Sequence, residues 1–414
     1  MKTLSRLILY AVLYSTYLYY VDVIGEQNLY AFNIDFIRVA ISLIVILLLS
    51  LLSNLKNRIV LDFLLNLSII FNIIPMAVMY SAADKSPLFF MYSVLGYLAI
   101  LIFSKVNIRN IRFCRSISLV GAMNFMAFIT PIFLLINLIY VGLDGLSYDI
   151  DLIYKNRVIS SEKIGIIMGY INPALGEVVI PMLAVTALNN KNYINIFLAF
   201  FYSVIMFGIT NQKGVIFYPF LAITIFYISI NINRVKNFNS LIIGMAIFSA
   251  IQLFIIKKLD FDLKYSILGI FIDRSFFTPA NINYIFYEYF DINNLIFWKN
   301  SKITFGLMDF DGKNPANVIG VEFFNNPDTF ANTGWIGSGF MHAGLLGIII
   351  YGAVIGLIFS YVARFSDYNR IRLEVLLGSI AVPVIGMLIS TDLTAVLLTG
   401  GLILQLIFLG TIKE

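Results

Sequence analysis

The sequence predicts an all-α polytopic membrane protein, and three observations carry that expectation. Hydrophobic residues make up 60% of the 414 positions against 12% charged, and the mean hydropathy is +0.90. That is more apolar surface than one soluble core can bury. The apolar residues also fall into successive runs of roughly 17–25 residues, the length a helix needs to cross the hydrocarbon layer.

Taken in order, Lys2 and Arg6 open an apolar run with no small-x-small cleavage site after Tyr20, which reads as an uncleaved first span. Twelve spans in all meet the same criterion, near 5–21, 35–53, 59–80, 87–104, 116–142, 164–188, 192–209, 214–231, 240–256, 336–363, 373–390 and 392–411. Ser390-Thr391-Asp392 between the last two reads as a tight hairpin or the tip of a broken helix. The one long polar interval lies between the ninth and tenth spans. The chain therefore divides into a nine-helix membrane part (1–256), an outer loop with short amphipathic helices (257–335) and a three-helix membrane part (336–414).

Lys and Arg in short connections set the orientation, because insertion keeps cationic loops on the cytoplasmic side. One alternating set of connections holds fifteen cations: Lys2, Arg6, Lys56, Arg58, Lys105, Arg109, Arg112, Arg115, Lys191, Arg234, Lys236, Arg364, Arg370, Arg372 and Lys413. The other set, leaving aside the long interval, holds six: Arg38, Lys85, Lys155, Arg157, Lys163 and Lys213. Both termini are thus expected in the cytoplasm and the long interval outside it. The +5 formal charge reads first as this topology, and no nucleic-acid partner is expected. A single cysteine, Cys114, excludes an internal disulfide framework, and one histidine leaves no Cys/His metal cage. No metal or cofactor is expected. No internal repeat is evident.

Within the long interval, Asp273-Arg274 precedes Thr278-Pro279, a helix start with Thr as N-cap and Pro at the first helical position. Residues 279–290 would form an amphipathic helix along the membrane surface, bearing Tyr284, Phe286, Tyr287, Tyr289 and Phe290. Either this is an aromatic belt with a locally paired Asp and Arg, or Arg274 grips a lipid-linked diphosphate while aromatic faces hold sugars or a polyprenyl tail. Arginine suits that task, since its fork stays charged and binds phosphate oxygens in pairs. Arg157 and Lys213 border spans on the same side. Each alone reads as an ordinary surface cation, and the three together are more informative.

The sixth span holds Gly165, Gly169, Pro173, Gly176, Pro181 and, near its middle, Glu177. An intramembrane carboxylate is a functional candidate by default, against a structural pairing with a neighbouring Asn or Tyr. The run Asn332-Thr333-Gly334-Trp335-Ile336-Gly337-Ser338-Gly339 leads into the tenth span, where Gly352 and Gly356 continue a small-xxx-small packing face. Asn332 offers polar groups beside the membrane. His342, about two turns in, reads as a neutral hydrogen-bonded imidazole.

With these residues in place, the chain resembles the oligosaccharide repeat unit polymerases, the Wzy-type O-antigen polymerases of bacterial inner membranes. The likeness lies in the topology over the whole chain, in the Asn332–Gly339 run and the Gly344-x-x-Gly347 beyond it, and in Arg157 and Arg274. Lys213 stands where that pattern would have arginine. The resemblance implies a GT-C-like, metal-independent glycosyltransferase that uses undecaprenyl diphosphate-linked oligosaccharides as donor and acceptor, within the lipid bilayer and alongside a chain-length regulator protein. Arg157, Lys213 and Arg274 would stabilise the diphosphate, with Asn332 and His342 beside the substrate. Glu322, Asp328 or Glu177 would orient the attacking hydroxyl. Related ligases use a loop histidine, whose position aligns near Asn332 and not His342, so the general base stays open. The rival reading is a lipid-linked oligosaccharide flippase, which should carry cations inside a central membrane cavity. A membrane acyltransferase fits less well, for want of an early His- or Arg-rich catalytic segment.

Overall fold

The computed structural model describes residues 2–55, 58–108, 117–149, 156, 160, 163–164, 166–259, 266–290, 295–304, 307–308, 310, 312–327, 329–367 and 371–413. It is a helical membrane protein. Seven helices are long and apolar enough to cross a bilayer: Ile59–Ala82, Leu119–Val141, Ile167–Asn189, Tyr193–Thr210, Phe238–Leu259, Trp335–Ser366 and Leu393–Thr411. Four shorter apolar helices accompany them, Phe36–Leu52, Pro87–Phe103, Gly214–Ser229 and Leu373–Ile389. Together with Lys2–Asn28 they lie at the stretches where the sequence places spans. The only ladder among the described residues pairs Ile117–Ser118 with Ile412–Lys413 in parallel.

Short polar residues set where the helices begin. Asp35 accepts the N–H of Ile37 and Arg38 ahead of Phe36–Leu52, and Ser86, Ser118 and Asn192 cap the helices they precede. Each supplies an acceptor to a first-turn donor that has no partner within the helix.

The chain forms two compact units. The first comprises Met1–Ile108, Asn233–Ser360 and Met387–Leu393; the second comprises Arg109–Ile232, Tyr361–Gly386 and Thr394–Glu414.

In the first unit, Ile59–Ala82 is buried along nearly its whole length. Near one end a polar network ties it to its neighbours. Arg6, itself buried, donates to Asn66 Oδ1 (2.8 Å) and Ser53 Oγ (2.9 Å), Asn66 donates to Asn239 (2.6 Å), and Lys2 pairs with Asp62. Close helix approach elsewhere relies on glycine. A Cβ added at Gly352 would land on the Gly96 carbonyl, and one at Gly356 would meet the Ile100 carbonyl. The small-residue face read from the sequence therefore packs against Pro87–Phe103. Between helices in lipid, dispersion and fit replace the hydrophobic effect, so such contacts set the packing.

In the second unit, Asn137 and Asn172 exchange side-chain hydrogen bonds (2.8 Å each), and Gln405 donates to the Ser379 carbonyl (2.7 Å). In the chain as a whole, Ser390-Thr391-Asp392 forms the hairpin between Ile389 and Leu393. The break in the last helix falls later, at Gly401, whose φ of 77° suits glycine.

One local device occurs three times. Ile69–Ile73, Leu175–Val179 and Asp273–Phe277 are π-helical turns, and each has a proline two residues beyond it, Pro75, Pro181 or Pro279. Proline cannot donate to the carbonyl four residues back, and the widened turn accommodates the mismatch without breaking the helix. In the sixth span the turn falls at Leu175–Val179, just ahead of Pro181.

The interval 257–335 differs from the expected polar loop. Ile267–Tyr289 is one nearly continuous helix through the third π turn, with Tyr284 and Phe286 buried in the first unit and not laid along a surface. Thr278 is helical and its hydroxyl bonds Asp273, so it does not act as an N-cap. The third π turn carries the helix past Pro279, so no new start is needed there.

Gly347 lies against the Gly339 carbonyl, whereas nothing lies within 4 Å of a Cβ placed at Gly169. Gly347→Val is expected to cost about 2–4 kcal/mol and lower the melting temperature of detergent-solubilised protein. Gly169→Ala should leave that temperature unchanged or raise it slightly. Equal melting temperatures for wild type and Gly347→Val would contradict the packing described.

Candidate functional site

Ala343 (φ −150°, ψ 31°) and Gly344 (φ 60°, ψ −140°) divide Trp335–Asp367 into a short arm ending at His342 and a long helix beyond. A left-handed φ with that ψ is open in practice only to glycine, which explains Gly344. A helix that ends inside the protein needs donors for its last carbonyls. Ile296 N–H reaches the Met341 carbonyl (3.0 Å) and Phe297 N–H the His342 carbonyl (2.9 Å). Phe297 and Trp298 take positive φ (51° and 59°) and turn the segment across the end of the arm.

The same turn builds a polar cluster on the His342 side chain. Trp298 N–H donates to His342 Nδ1 (3.3 Å), and His342 Nε2 lies 2.9 Å from Asp392 Oδ2. The Trp298 indole N–H donates to Tyr351 Oη (3.0 Å), and Tyr351 O–H donates to Asp392 Oδ1 (3.2 Å). The Trp298 and His342 rings stack, with centroids 5.2 Å apart and planes at 17°. A backbone N–H can only donate, so Nδ1 is the acceptor and the imidazole proton sits on Nε2, directed at Asp392. Sequence pattern alone does not single out Asp392, Tyr351 or Trp298 as site residues. A polar Ser-Thr-Asp hairpin between two apolar helices is the available signal.

The short arm is fixed at its other end. Asn283 Oδ1 accepts from Thr333 Oγ1 (2.7 Å) and Gly337 N–H (2.8 Å). Asn72, in the first π turn, accepts from the Trp335 indole (3.0 Å) and donates to the Leu388 carbonyl (2.7 Å). Gly334 sits against that same carbonyl. Most of the Asn332–Gly339 run is therefore buried anchoring. Asn332 is its exposed member.

The third π turn separates two adjacent charged residues. Asp273 is buried and accepts from Tyr30 Oη (2.5 Å) and Thr278 Oγ1 (3.0 Å). Around it pack Tyr17, Tyr20 and Phe277, with the two tyrosine rings 5.3 and 5.0 Å from Phe277. Arg274 is exposed. Burial, and then the Asp273 carboxylate, hold the Tyr30 phenol well above its usual range.

Of the remaining candidates, Glu322 is exposed on the short helix Pro315–Phe324. Arg157 and Asp328 lie outside the described residues. Glu177 and Lys213 belong to the second unit. Lys213 is exposed at the start of Gly214–Ser229. Glu177 lies in the second π turn, where a Cβ at Gly400 would be 2.9 Å from its Oε2. Among the described residues no Asn or Tyr pairs with it. The structure thus brings His342 to Asp392, and Asp273 to Tyr30. No group of three or more His, Cys, Asp or Glu among the described residues could hold a metal ion.

Comparison with protein-family models, with curated proteins and with solved structures returned no match.

A raised phenol pKa favours the folded state below the unfolded value near 10, and that stability is lost as pH rises toward the folded value. Tyr30 should therefore stay protonated at pH 11 in folded protein. Phenolate absorbance of wild type and Tyr30→Phe at that pH is expected to coincide. Tyr30→Phe should also melt lower at pH 7, by about 1–3 kcal/mol for a lost bond to a carboxylate. A deficit of one phenolate in the variant would refute the assignment.

Proposed function

We propose that the chain is a polytopic inner-membrane glycosyltransferase that joins oligosaccharide repeat units carried on undecaprenyl diphosphate at the periplasmic face. In this reading all twelve apolar stretches cross the bilayer, both termini are cytoplasmic, and the arrangement is GT-C-like. The observation that carries it is the third π turn. Buried Asp273, held by two hydroxyls, fixes a bulge that leaves neighbouring Arg274 exposed, with no described residue pairing with it. A guanidinium held out on a rigid, internally anchored helix suits capture of a diphosphate.

The cation distribution supports an outward-facing site, and the sequence resemblance supports the reaction class. In the reaction, a hydroxyl of one repeat unit attacks the anomeric carbon of the growing chain. The C–O bond to the diphosphate breaks and the lipid diphosphate leaves with the electron pair. Arg274 stabilises the charge that develops on that leaving group. Arg157 and Lys213 are further candidates for the same task.

Because Arg274 is exposed, Arg274→Ala should shift stability by no more than about 0.5 kcal/mol and leave protein abundance intact. Cells carrying it are expected to accumulate lipid-linked single repeat units and to lose long chains. Normal chain lengths in that variant would overturn the site. Accumulation of undecorated lipid-linked units on the cytoplasmic side would point to a flippase instead.

A further inference from the structure

We infer that Asp392 is the carboxylate that takes the proton from the attacking hydroxyl, with His342 and Tyr351 as positioning residues; this rests on the glycosyl-transfer reading above.

Trp298 forces the direction of the hydrogen bonds described above. Its backbone N–H and its indole N–H can only donate. The first makes His342 Nδ1 an acceptor, which leaves the imidazole proton on Nε2. The second occupies Tyr351 Oη as an acceptor, which leaves the phenolic proton to be given onward. Both relays end on Asp392, at 2.9 Å from His342 Nε2 and 3.2 Å from Tyr351 Oη. Two donors converging on one carboxyl group hold it in a fixed orientation.

Exposure points to the same atom. The His342 side chain is 1% exposed and sealed by the Trp298 ring, whereas the Asp392 side chain is 23% exposed. Of the three groups that could exchange a proton, His342, Tyr351 and Asp392, the carboxylate is the accessible one. It sits in a hairpin beside a broken helix, and under the proposed topology that hairpin is on the periplasmic side. The acceptor hydroxyl would give its proton to Asp392 as its oxygen bonds the anomeric carbon, and the bond to the diphosphate would break with its electrons leaving on the lipid. Asp392 then returns the proton to water.

The test uses purified full-length protein with synthetic undecaprenyl-diphosphate repeat unit, scored by ladders of longer products. Wild type should form ladders. Asp392→Asn should lower kcat on the order of 100-fold or more with KM for the lipid-linked donor little changed. Asp392→Ala should regain part of its rate in added formate, which replaces a lost base and not a lost fold. Should neither Asp392 variant accumulate, Tyr351→Phe, which removes one oriented donor, should lower kcat about tenfold at unchanged KM. Wild-type kcat in Asp392→Asn, a folded Asp392→Ala that formate does not rescue, or an unaffected Tyr351→Phe would overturn the assignment while leaving glycosyl transfer standing. A wild type that makes no ladder would overturn both.

Discussion

The constraint on which this structure depends is the absence of water in the hydrocarbon layer. A backbone carbonyl or N–H that loses its helical partner there must find another inside the protein, at a penalty of several kcal/mol if it does not. The short arm ending at His342 shows the consequence. Its last carbonyls are met by Ile296 and Phe297, and the turn that delivers those N–H groups also delivers Trp298 to the imidazole. Satisfying a helix end and assembling a polar cluster are here one event. The same logic explains why Asn72 and Asn283 lie deep in apolar helices. Each serves groups on the arm that have no helical acceptor or donor in reach.

The π turns express the constraint in another way. At Pro75, Pro181 and Pro279 a donor is missing, and the chain responds by widening and not by breaking. At two of them the turn also holds an ionisable residue, Glu177 in one and Asp273 with Arg274 in the other. Asp273 accepts from Tyr30 and Thr278, so its buried carboxyl group finds donors locally. The helix then continues with Pro279, Ala280 and Asn281 buried.

The range of each interaction decides how far the sequence reveals it. Helix positions are readable because each apolar run reports its own environment, and Gly352 and Gly356 declare a packing face by spacing alone. The Ser390-Thr391-Asp392 hairpin is legible from its polarity. The interval 257–335 misleads, because Asp273, Asn281, Asn283 and Tyr284 look like loop residues until their partners are known. Tyr30, Asn72 and Met76 help to make this stretch interior, and they are distant from it in sequence. Thr278-Pro279 carries a valid start signal that the π turn overrides. His342 falls in the tenth span as expected, yet nothing near it in the chain foretells Asp392, fifty positions on.

A five-residue π turn holds one residue more than a regular helix needs, and that bears on how such a chain tolerates change in length. Deleting one residue from Asp273–Phe277 would restore an ordinary helix and leave the segments on either side nearly in their present phase, because the wide turn absorbs its extra residue locally. The loss would fall on the turn itself, on the bonds from Tyr30 and Thr278 to Asp273. A deletion in the regular helix beyond it would instead rotate everything on one side by about 100°. Helices of this kind should tolerate a change of residue count at the π turn better than between the turn and the nearest anchored contact.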